Sequence, residues 1–79
     1  MEEKFINKID TNDFLLLSNC WALINWRIEW LIAKKDEKPE ISMEEAICDL
    51  KLDELYNARG DVRKAIVSKL NEEYTEVNE

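Results

Sequence analysis

Histidine is absent from this chain, glycine and proline occur once each, and cysteine occurs twice. Each shortage closes off some chemistry. Without histidine the commonest general base and most zinc or di-iron ligand sets are gone, and two thiols alone cannot complete a structural zinc site. A single glycine leaves no Gly-rich phosphate loop and no Gly-x-Ser-x-Gly nucleophile turn. No window carries acidic or amide ligands at its first, third and fifth positions with glycine at the sixth, so an EF-hand is excluded. Close carboxylate pairs are ordinary in a helical chain this acidic. The one acid set inside an apolar stretch, Glu29, has Arg27 and Lys34 within reach as ion-pair partners. The expectation is a protein with no enzymatic activity, no cofactor and no metal.

Cys20 and Cys48 are too few and too far apart in sequence for a disulfide framework, and no Asn-x-Ser/Thr acceptor site occurs. Both cysteines read as small buried hydrophobes in a reducing compartment. The start, Met1-Glu2-Glu3-Lys4, is acidic where a secretory signal is basic, and no small-residue cleavage site follows an apolar run. A cytoplasmic protein is expected. The apolar stretch Phe14 to Ala33 is the only membrane candidate, but it contains Asn19, Asn25, Arg27 and Glu29. Each central charge would cost about 2.5–3.5 kcal/mol on insertion.

What the chain does have is helical patterning in 79 residues, 46% hydrophobic and 37% charged. That balance suits a folded helical domain better than a disordered segment. A domain this short buries only about 60% of the surface its unfolded chain exposes, so dense packing or self-association must supply stability. One all-α domain is expected, with residues 1–10 as a short helix or docked arm carrying Phe5, Ile6 and Ile9. Asp10, Thr11, Asn12 and Asp13 then offer N-cap side chains ahead of an apolar run. The spacing predicts a long helix over about 12–36, with the stripe Phe14, Leu17, Trp21, Ile24, Ile28 and Leu31 on one face. Lys34 and Lys35 fall in its last turn and Pro39 stops it. Ser42 and Glu45 have capping-box spacing, predicting a short helix over about 43–51. Asp53 offers a further cap for a long helix over about 53–76, whose end overlaps an acidic tail at 72–79. Leu55, Ala58, Val62, Ile66, Leu70, Tyr74 and Val77 hold helical register straight past Gly60, with a break at Arg59-Gly60-Asp61 as the alternative. The Arg-Gly-Asp tripeptide falls within that helix and reads as accident. The predicted architecture is a small antiparallel bundle, completed by homodimerisation if one chain cannot cover its own apolar surface.

Two surfaces stand out. Trp26 and Trp30, four residues apart and continued by Leu23, form an apolar face beside the core stripe. Either the other helices cover it or it serves a second copy or another partner. Charge is also uneven: the net charge is −7, residues 1–35 are neutral, residues 36–54 carry −6, residues 55–71 carry +3 and residues 72–79 carry −4. Asp36, Glu37, Glu40, Glu44, Glu45, Asp49, Asp53 and Glu54 make up the acidic strip, and Glu45, Asp49 and Asp53 recur every four residues. Such a strip is either a solvated face or a docking site for a basic protein surface.

The expected function is therefore a protein-binding regulator, inhibitor or adaptor, one version of which mimics nucleic-acid charge. Small acidic proteins of phages and mobile elements work in this way, and the Ile, Lys, Asn and Glu usage suits an AT-rich genome; such an origin would place the chain in the host cytoplasm. The competing reading is a helix-turn-helix DNA binder using Arg59, Arg63 and Lys64, which a recognition helix opening on Asp53-Glu54 opposes by its sign. A third class is a structural oligomer or assembly protein.

Overall fold

The computed structural model describes residues 3–77, with side chains through residue 72. It is all-α: a 3-10 turn at Phe5–Lys8 precedes helices α1 (Phe14–Ile32), α2 (Ser42–Cys48) and α3 (Leu52–Val77). No strand occurs among the described residues.

The start of α1 follows from two aspartates. Asp10 Oδ1 accepts the Asn12 amide at 2.9 Å, closing a small turn that brings Asp13 to the helix entrance. Asp13 Oδ1 then accepts the Leu16 amide at 3.1 Å, satisfying one of the four amides that the first turn leaves without partners. The helix ends earlier than position 36. Lys34 adopts a left-handed backbone with φ 62°, its amide donates to the Leu31 carbonyl at 3.0 Å, and the Lys35 amide donates to the Trp30 carbonyl at 3.1 Å. This is a Schellman closure, usually built on glycine. Lys35 also lays its ammonium 4.6 Å from the centre of the Trp30 ring, a cation–π contact where a hydrophobic one normally sits. The chain is therefore turned out of the helix before Pro39 acts, and residues 33–41 form a longer connection than the six residues that Pro39 and Ser42 imply.

The capping box at Ser42 does not form. Ile41 is the N-cap of α2, without a side-chain cap, and Ser42 is the first helical residue. The helix instead begins with the Glu45 amide donating to the Ile41 carbonyl at 2.7 Å. It ends at Cys48, short of the predicted 51, with Asp49 as C-cap. A capping box does have its return half at α3, where Glu54 Oε1 accepts the Lys51 amide at 3.2 Å and the Leu55 amide donates to the Lys51 carbonyl at 2.8 Å. Glu54, not Asp53, makes that bond. The helix then runs without interruption through Gly60.

The core joins Leu17, Cys20, Ile24 and Ile28 of α1 to Ile47 of α2 and Leu55, Ala58 and Val62 of α3. Phe5, Ile6 and Ile9 pack on it from the N-terminal arm. The buried line of α1 is rotated from the predicted stripe: Cys20 and Arg27 join it, Trp21 and Leu31 are half-buried, and Phe14 is exposed. Asn25 ties α1 to α3, accepting from Arg59 Nη1 at 3.1 Å while donating to the Trp21 carbonyl at 3.0 Å. On α3, burial ends at Val62, Ile66 is half-buried and Leu70 is exposed. The side chains of Tyr74 and Val77 lie outside the described residues. Both cysteines are buried and free. Cys20 Sγ sits 4.0 Å from Met43 Sδ, and burial raises its thiol pKa above the ordinary value.

Candidate functional site

The acidic strip occupies three consecutive elements. Asp36, Glu37 and Glu40 lie on the 33–41 connection, Glu44 and Glu45 in the first turn of α2, Asp49 at its C-cap, and Asp53 and Glu54 in the first turn of α3. Six are exposed; Glu44 and Glu54 are half-buried. The four-residue recurrence of Glu45, Asp49 and Asp53 is not a ladder on one helix, because α2 ends between the first two and α3 begins before the third.

Local structure accounts for part of the strip. Glu44, Glu45, Asp53 and Glu54 stand at helix N-termini, where a carboxylate gains about 0.3–1 kcal/mol from the macrodipole. Asp49 pairs with Lys38 at 2.9 Å across an exposed contact. That leaves Asp36, Glu37 and Glu40, whose exposed carboxylates make no hydrogen bond or ion pair among the described residues. Within this shoulder Ile41 is 59% exposed, and Ile32, at the end of α1, is 62% exposed. Leu52 and Tyr56 add partly exposed apolar surface at the start of α3. Negative charge and apolar anchors thus share one stretch of chain. Helical periodicity does not single out these anchors; the available signal is Ile41, apolar between Glu40 and Ser42.

The tryptophan face is more enclosed. Leu23 is half-buried and packs on the core, and Trp26 and Trp30 are half-buried with ring centres 5.5 Å apart at 40°. Arg27, expected to pair with Glu29, is instead only 3% exposed, while Glu29 is exposed. Its Nη1 donates to the Glu37 carbonyl at 3.4 Å, and its Nε is buried without a partner among the described residues, as is Trp30 Nε1. The burial signal was its spacing, three after Ile24 and seven after Cys20.

Of the three cations that a helix-turn-helix reading needs, Arg59 is committed to Asn25 and lies 5.1 Å from the Tyr56 ring centre, while Arg63 and Lys64 are exposed. A groove between the N-terminal arm, α2 and α3 is lined by Phe5, Ile9, Met43 and Leu50 and also by Lys4, Lys8 and Lys64 alongside Asp49 and Asp61. It does not select a partner by charge. Among the described residues no group of three or more cysteine, aspartate or glutamate side chains is placed to hold a metal ion, and no helix is long and apolar enough to cross a membrane. No family model matches the chain, and neither a curated protein nor a solved structure matches it.

Proposed function

We propose that this protein is a non-enzymatic binding module, a regulator, inhibitor or adaptor, that docks its acidic shoulder on a basic protein surface. The observation that carries this reading is the composition of the 36–41 segment. Asp36, Glu37 and Glu40 are exposed and their carboxylates make no hydrogen bond or ion pair among the described residues, and Ile41 beside them is an exposed apolar side chain. Charge complementarity steers such an encounter, and a desolvated apolar anchor supplies affinity that exposed ion pairs alone do not. In this account the helices, arranged as an antiparallel bundle, act as a frame that presents the shoulder. Occupation of a nucleic-acid-binding groove by the carboxylates is one form the docking takes.

A triple charge reversal tests the proposal with little risk to the fold, because D36K/E37K/E40K removes no helix cap and no ion pair present in the structure. Immobilised wild-type protein should capture a basic protein from lysate of its native host, and the triple variant should not. Equal capture by both would reject the acidic shoulder as the docking surface.

A further inference from the structure

We infer that Arg27 and Trp30 form a recognition site for a carboxylate carried on a flat apolar body, roofed by the 33–41 connection. The inference does not depend on the acidic-shoulder reading, since its donors are the side chains of Arg27 and Trp30 on α1, which carry none of that strip.

Arg27 is almost wholly removed from solvent, one of the buried residues of α1 with Leu17, Cys20, Ile24 and Ile28. A guanidinium keeps its charge when buried and carries five N–H donors in a planar fork. Leaving such a cation buried without a counter-charge is strongly unfavourable. Among the described residues it has one acceptor, the neutral Glu37 carbonyl, at a distance of 3.4 Å that is long for an N–H···O bond. Among the same residues its Nε has none, and neither has the indole Nε1 of Trp30, although buried polar groups are partnered in the great majority of cases. These two orphans are of one kind. Both are donors, they belong to residues three apart on α1, whose side chains leave the helix from neighbouring positions, and one is cationic. What completes them is an acceptor with negative charge and more than one oxygen. A carboxylate has that form, because its two oxygens can take the guanidinium fork and the indole N–H together.

The surroundings define the rest of the ligand. The Trp26 and Trp30 rings, 5.5 Å apart, make an aromatic wall next to the donors, and Lys35 places its ammonium 4.6 Å from the Trp30 centroid. An apolar, preferably aromatic, body fits that wall. The roof argues against a multiply charged anion such as phosphate, because Asp36, Glu37 and Glu40 are all carried on it. The roof is also loosely held. It is tied down by the long Arg27–Glu37 contact and by the Lys38–Asp49 pair, whose side chains are about half exposed, and exposed pairs of this kind contribute little. Its own carboxylates are exposed and make no ion pair with Arg27 among the described residues. Entry of the ligand lifts the 35–40 segment and replaces the Glu37 carbonyl with a charged acceptor.

The test follows the Trp30 indole proton by 1H–15N NMR on the full chain, its signal assigned through W30F. Sodium phenylacetate is titrated against sodium chloride at equal ionic strength and against neutral 2-phenylethanol. A parallel titration uses an N-acetylated tripeptide ending in a phenylalanine carboxylate, which separates a free acid from a peptide terminus as the source. The expected result is a saturable movement of the Trp30 signal with one or both carboxylates, absent with chloride and phenylethanol and absent in R27M. If R27M does not fold, R27K keeps the charge and loses the fork, and should bind phenylacetate at least about tenfold more weakly. Two results would each overturn the inference: no response to either carboxylate, or an equal response with Arg27 replaced.

Discussion

Replacing Gly60 with alanine probes whether α3 is one helix. The glycine lies in the interior of Leu52–Val77, its φ is not positive, and a Cβ built on it meets nothing within 4 Å. The substitution therefore adds a methyl group without a clash and without forcing a left-handed residue into a right-handed one. Glycine in a helix interior is about 0.8–1.0 kcal/mol less favourable than alanine, because it gives up more backbone freedom on folding. For a domain of this size about 1 kcal/mol corresponds to roughly 4–8 °C in Tm. Thermal melts followed by circular dichroism at 222 nm should show Gly60→Ala raised by about that amount, and urea melts should show a higher midpoint with unchanged slope. Gly60→Pro should cost about 3 kcal/mol or more, by removing an amide donor and clashing with the preceding turn. An alanine variant with an unchanged or lower Tm, together with a proline variant that is tolerated, would refute the continuous helix and place a break at Arg59-Gly60-Asp61.

Lys34→Gly should stabilise the protein by about 1 kcal/mol in urea melts, since glycine adopts the left-handed backbone of the Schellman closure without the Cβ penalty. Asp13→Ala should cost about 1 kcal/mol through loss of the α1 cap, whereas Ser42→Ala should change stability by less than about 0.5 kcal/mol because its hydroxyl caps nothing. A serine effect as large as the aspartate effect would reinstate the capping box. Cys20, buried with a raised pKa, should be alkylated slowly by iodoacetamide at pH 8 in the folded protein and rapidly in urea; fast modification of the native thiol would contradict the packing around it.

The helices were legible in the sequence because their apolar residues recur at the period of a helix over long stretches, and the α1 start was legible because Asp13 is a good capping residue directly before such a run. Their ends were not. Lysine is not a usual residue for a left-handed C-terminal closure, so Pro39 was the only visible stop after Ala33. Ser42-x-x-Glu45 has the spacing of a capping box, but the chain enters α2 one residue earlier and Ile41 takes the cap position. Side-chain charge misleads in the same way at Arg27. Its charge suggests an ion pair with Glu29, although its place three and seven residues after two buried positions puts it on the inward face. The acidic strip was legible as charge, while its division into helix-terminal, paired and unpartnered carboxylates depended on where α2 stops and α3 begins.

The salt dependence of the complex tests the central claim most directly. With a captured target in hand, its dissociation constant with wild-type protein should be measured by titration calorimetry at about 50 and 300 mM salt, a range over which screening between exposed charges becomes strong. Docking through Asp36, Glu37 and Glu40 predicts affinity that falls steeply across that range, and a much flatter dependence for D36K/E37K/E40K. Affinity that stays constant with salt in the wild-type protein would contradict the account.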